Sequence, residues 1–291
     1  LTDTHILRRE AHRARSPTVH RLESTHRDAM PNTAVAKAFA VLTAISAVTC
    51  FGLMYDAIHG KDPTFSLGWA SAPTCGQPAP KEPSAFFMHV FFMAMAFGLF
   101  APLGAVTYII VRDTLGLRQK AAKAVHGLVQ LGAFLCSVLG FTQMYYAHGA
   151  ACGSTVHFQS VHSFVGITVL ALFWWQLPSA AAVFSNNTLL ASGSAARKTF
   201  LRYHVFIGTF TVFAGLATIV TGVLALIAKR PGNGDPAGEP WYQMARGAMA
   251  AFVTIVLLAL TLFEVRSHPD DEANPANETS ALLPVKGTPS P

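Results

Sequence analysis

Apolar residues in this chain gather into six blocks separated by polar connections. The blocks lie near 34–56, 85–111, 122–146, 159–184, 202–228 and 243–265. Each matches the ~20 residues that an α-helix needs to cross a bilayer. Backbone N–H and C=O groups must pair within the element in hydrocarbon, so runs of this length predict helices. The second block ends at Arg112-Asp113, and the third opens after Lys120 with Lys123 at its edge. Residues 57–84 and 229–241 are rich in Gly and Pro and predict connections. Residues 1–33 are polar and lack the apolar core of a secretory signal peptide. They predict a flexible segment, with part of an organelle transit peptide as the alternative. Residues 267–291 are polar and Pro-rich and predict a disordered tail. Between these ends, 34–266 reads as one membrane domain.

Composition sharpens this picture. Hydrophobic residues make up 52% of the 291 and charged residues only 12%. Soluble domains carry about 25% charged residues, which argues against an ordinary soluble enzyme. The net charge of +6 would suit nucleic acid in a soluble protein. Here the basic residues flank apolar blocks, so the bilayer is the expected partner and nucleic acid is not. One face of the predicted topology collects 16 of the 21 Lys and Arg, and the other face 5. The positive-inside rule then predicts an integral multi-pass protein with both termini on the cytoplasmic or equivalent side.

The candidate chemistry lies in histidine. Twelve His is a high count for so apolar a chain, and four fall inside predicted spans. His89, His126, His162 and His204 occupy spans two to five, one each, and spans one and six have none. Ionisable groups inside a membrane are costly and mark functional sites. Each of the four lies a few residues into its span. Successive spans run in opposite directions, so His89 and His162 share one depth and His126 and His204 another. Two neutral imidazoles at one depth suit the axial positions of a haem iron. Two pairs therefore predict two b-type haems, with ~20 Å between irons from a ~30 Å core and ~1.5 Å rise per residue. No Cys-x-x-Cys-His is present for covalent attachment. Gly127, Gly166 and Gly208 follow three of these histidines and would let a flat ring approach its helix. An ion transporter could also use membrane histidines. It would converge them at one depth with carboxylates nearby, whereas Asp56 and Glu264 lie at span edges.

Several stretches resemble the cytochrome b561 family of transmembrane ascorbate-dependent oxidoreductases and ferrireductases. Ser160-Val161-His162-Ser163-Phe164 is similar to the family's Ser-Leu-His-Ser-Trp. The run from Lys120 to His126-Gly127 resembles the basic stretch before the family's third-span His. The segment Val106 to Arg112 resembles the apolar segment that the family ends in Tyr-Arg. His204 with Gly208 resembles the fifth-span His and its Gly. Val90, Phe164 and Arg202 depart from the family's Pro, Trp and Pro.

The resemblance implies an all-α membrane fold of six transmembrane helices, with spans 2–5 as a central four-helix bundle holding two b haems. It pairs His89 with His162 and His126 with His204, as the depths do. It implies a cytoplasmic ascorbate site at Arg112, Lys120, Lys123 and Arg197 or Lys198, and an outer site at His148, with His157 as a second candidate. Electrons would pass from ascorbate to monodehydroascorbate or a ferric chelate on the outer or lumenal side. The rival reading is a non-catalytic haem-bearing subunit of a larger membrane complex, and a homodimer also fits. Separately, Cys75 and Cys152 fall in the two outer connections and are expected to form a disulfide, while Cys50 and Cys136 lie within spans.

Overall fold

A computed structural model describes residues 33–61, 84–147, 160–184, 189–191, 193–228 and 240–267, and every regular element among them is a helix. We number them α1 (Thr33–Lys61), α2 (84–114), α3 (Gln119–Ala147), α4 (Val161–Phe184), α5 (Ala195–Ala228) and α6 (Pro240–Ser267). Each contains a stretch long and apolar enough to cross a membrane, as the hydropathy pattern predicts. Cys75, Cys152, His148 and His157 lie outside the described residues. Cys50 and Cys136 are buried free thiols.

Two helices begin with polar turns that lie outside the predicted apolar blocks. α3 starts at Gln119 rather than 122, and α5 at Ala195 rather than 202. A helix need not stop where lipid stops. The residues added are mostly Ala, Lys, Arg and Gln, all good helix formers, so the hydrogen-bond ladder continues into water. Lys120, Arg197 and Lys198 consequently project from helices and not from loops.

Local signals set the helix starts. Ser160 caps α4, its Oγ accepting the Ser163 N–H at 3.2 Å and pairing with Ser163 Oγ at 2.8 Å. The Ser-x-His-Ser stretch is thus a capping motif that puts His162 in the first turn. Ser194 Oγ accepts the Arg197 N–H at 3.2 Å and caps α5 in the same way. At the α2–α3 turn Gly116 has φ +66°, a left-handed conformation that Gly tolerates best. We predict that Ser160→Ala destabilises the start of α4 by about 1 kcal/mol, the usual cost of a lost cap. Thermal unfolding of the detergent-solubilised protein should show the drop, and an unchanged midpoint would count against the cap.

Residues Ala36–Phe263 form one compact unit, which holds every contact described below. In it α2 packs on α3 and α5, and α4 packs on the same two, closing a four-helix ring. α2 is irregular, with π-helical stretches at Ala94–Phe100 and Ile109–Thr114. α4 contains Pro178, which cannot donate a backbone hydrogen bond. Ser179 Oγ reaches back to the carbonyls of Trp175 and Gln176 there, at 2.8 and 3.1 Å. α1 and α6 join each other outside the ring. Ser46 and Thr254 hydroxyls lie 2.9 Å apart, and those of Thr43 and Thr261 3.3 Å. α1 also meets α2, with the Phe51 and Phe91 rings 5.7 Å apart.

Candidate functional site

The four-helix ring brings the span histidines together as two pairs. His89, in the second turn of α2, faces His162 with ring centres 6.4 Å apart and planes at 87°. His126 of α3 faces His204 of α5, also at 6.4 Å, with planes at 79°. These are the pairs that depth alone predicts.

Backbone carbonyls hold three of the four rings. His89 Nδ1 lies 3.0 Å from Gly140 O, His162 Nδ1 3.0 Å from Thr218 O, and His126 Nδ1 2.9 Å from Gly104 O. A carbonyl can only accept, so each Nδ1 carries the hydrogen and each Nε2 keeps a lone pair. His204 differs, because its buried Nδ1 has no hydrogen-bond partner. The amide of Gln176 instead donates to the main-chain carbonyl of His204 at 3.1 Å.

The separation within each pair has a chemical meaning. A metal–imidazole bond is about 2.0 Å, and the ring centre lies about 1.1 Å beyond the nitrogen, so two imidazoles on opposite sides of one ion have centres about 6.2 Å apart. Both pairs match that value. The separation between pairs follows from the helices. His126 and Gly140, which touch the two levels, are 14 residues apart on α3, and so are His204 and Thr218 on α5. At ~1.5 Å per residue the levels are ~21 Å apart. Between them Phe97 of α2 meets Phe173 of α4 with ring centres at 5.3 Å, and Phe134 of α3 meets Trp174 at 6.5 Å.

A cavity of about 400 Å³ opens beside His89 and His162, within the usual range of ~300–1,000 Å³ for ligand sites. Its wall includes Gly166, Gly215 and Gly222 along with Met93, Phe141 and Leu170. Of the glycines read from the sequence, only Gly166 is on this wall. Open space surrounds Gly127, and Gly208 faces Gln176. Gly222, which the sequence pattern does not single out, lies directly against the ring of His162. A Cβ there would lie 2.8 Å from His162 Cε1. Gly104 is similarly placed at the other pair, where a Cβ would lie 2.8 Å from Gln130 Cδ.

Two of the predicted basic residues converge beside His204. Lys123 Nζ donates to the Phe184 carbonyl at 2.5 Å, and the Arg197 guanidinium lies 5.5 Å from the centre of the Phe184 ring. That ring is 5.6 Å from His204. Phe184 ends α4, and cations are favoured at a helix C-terminus. Arg112 is engaged elsewhere, with Nε 2.6 Å from Asp113 Oδ1. Lys120 is exposed. No residue pattern pointed to Phe184, because its position depends on how α4 and α5 end against each other.

The profile of eukaryotic cytochrome b561 matches residues 88–229. A probable transmembrane ascorbate ferrireductase of Arabidopsis thaliana is 31% identical over 172 residues, covering 56% of this chain and 69% of that protein. The chain belongs to the cytochrome b561 family. A lysosomal membrane ascorbate-dependent ferrireductase of Rattus norvegicus is 28% identical over 158 residues, covering 52% of this chain and 59% of that protein. A transmembrane ascorbate-dependent reductase of Ovis aries is 27% identical over 146 residues, covering 49% and 56%. The matches thus span little more than half of two of these curated relatives and about two thirds of the third. Family membership implies haem b as the cofactor. The two imidazole pairs and the cavity fit that group.

Proposed function

We propose that this chain is a transmembrane ascorbate-dependent oxidoreductase that carries single electrons across the bilayer with two b haems. His89 and His162 would hold one haem, and His126 and His204 the other. The observation that carries this reading is the pair of imidazole couples, each at 6.4 Å, stacked in one bundle. The names of the relatives support ascorbate as the donor.

Haem, when bound, supplies the one-electron couple. The chain's own residues do the remaining work. Gly140, Thr218 and Gly104 carbonyls fix the tautomers of three histidines and aim their Nε2 atoms inward, which also raises the basicity of those nitrogens. The apolar wall beside His89 and His162 keeps water away. Phe97, Phe173, Phe134 and Trp174 fill the space between levels with packed aromatic atoms in place of solvent. Lys123 and Arg197, with exposed Lys120, offer an acidic reductant a cationic surface beside His204. That side is the cytoplasmic one by the distribution of Lys and Arg. Monodehydroascorbate or a ferric chelate would accept the electron on the outer or lumenal side, with His148 as its candidate contact.

The test is a haem count joined to vectorial transfer. The purified chain should bind two low-spin b haems. Reconstituted in vesicles loaded with ascorbate, it should reduce an external ferric chelate. One haem per chain, or reduction no faster than in empty vesicles, would overturn the proposal.

A further inference from the structure

α4 and α5 present one motif to each other in opposite directions. On each, a histidine is followed four residues later by a glycine, His162 and Gly166 on α4 and His204 and Gly208 on α5. Each glycine faces one residue of the other helix. A Cβ on Gly166 would meet Thr218 at 3.6 Å, and one on Gly208 would meet Gln176 at 3.6 Å. Three residues beyond, a hydroxyl bonds back to that same residue's carbonyl. Thr221 Oγ1 donates to Thr218 O at 3.1 Å, and Ser179 Oγ to Gln176 O at 3.1 Å. One further residue on, the two copies differ: Gly222 stands on α5 and Ala180 on α4.

The histidines differ in step with that change. His162 donates to the Thr218 carbonyl at 3.0 Å. His204 makes no equivalent bond to Gln176, and its Nδ1 is buried without an acceptor. Gly222 explains the first case. A Cβ at 222 would sit 2.8 Å from His162 Cε1 and 3.0 Å from Nδ1, inside van der Waals contact. The ring reaches its carbonyl because that Cβ is missing. Ala180 carries the methyl that Gly222 lacks.

We infer that Ala180 withholds the backbone acceptor from His204, and that the His126/His204 haem is therefore the higher-potential haem of the two. This rests on the ligand assignment proposed above. A hydrogen bond from Nδ1 makes a coordinating imidazole more basic and favours ferric over ferrous iron. His89 and His162 both have that bond, whereas in the other pair His126 alone has it. Ala180 is a positioning residue: it acts through His204 and touches no reacting atom.

The experiment is a redox titration of the purified full-length holoprotein and its Ala180→Gly variant. His126→Ala identifies which wave belongs to which pair. In the unaltered protein the His126/His204 wave should be the more positive. Ala180→Gly should move that wave to lower potential and leave the other in place. Ala181→Gly, an exposed neighbour with the same loss of helix propensity, should move neither. A reversed order, a stationary wave in Ala180→Gly, or an equal shift in Ala181→Gly would overturn the inference. Binding of fewer than two low-spin haems would instead overturn the ligand assignment, so the two failures are distinct.

Discussion

Replacing His162 by Ala is expected to leave one haem per chain, and replacing His89 is expected to remove that same haem. Each ring supplies one of two facing nitrogens, so on the proposed ligand assignment loss of either would leave that haem with one protein ligand in place of two. His126→Ala and His204→Ala should remove the other haem. The effect is large because the sites are ~21 Å apart by helix rise and share no ligand. Haem content together with the low-spin visible spectrum of the four variants is the measurement. If His89→Ala and His126→Ala lost the same haem, the pairing would be wrong.

The second large effect concerns the donor. Lys123→Ala with Arg197→Ala should slow reduction by ascorbate about tenfold or more at low salt. A hydrogen bond to a charged group contributes about 1.5–3 kcal/mol, and 1.4 kcal/mol is about a factor of ten. The deficit should shrink as salt rises, because exposed charges are screened over about 8 Å at physiological ionic strength. Arg112→Ala should matter less, since Asp113 already holds that guanidinium. Stopped-flow reduction rates across a salt series decide the matter. A full-sized defect in Arg112→Ala with none in the double variant would move the donor surface toward α2.

Much of this arrangement is legible in the sequence. Lipid removes the usual ambiguity of apolar runs, because only a helix satisfies a backbone over such a length. The alternation of helix direction then sorts four histidines into two depths, which the 6.4 Å pairs match. Helix ends were less legible. The polar first turns of α3 and α5 look like loops to hydropathy, although their Ala, Lys and Arg residues favour helix. Least legible were groups whose role depends on register between helices. Gly104 and Gly140 matter through their carbonyls, Gly222 through the ring lying on it, and Phe184 through two cations arriving from other helices. Nothing in the type or spacing of those residues marks them out. The role of His148 as an outer contact remains a proposal of the family resemblance.

The crossed ties between α2 and α3 bear on assembly. His89 of α2 reaches Gly140 of α3, and His126 of α3 reaches Gly104 of α2, near opposite ends of the same contact. A slip of one residue between these helices displaces them by about 1.5 Å along their axes. Such a slip would break both hydrogen bonds together and misplace a histidine at each level. The helix pair thus works as a two-ended latch: a misaligned chain forms neither site, and closing one end delivers the other end already in register.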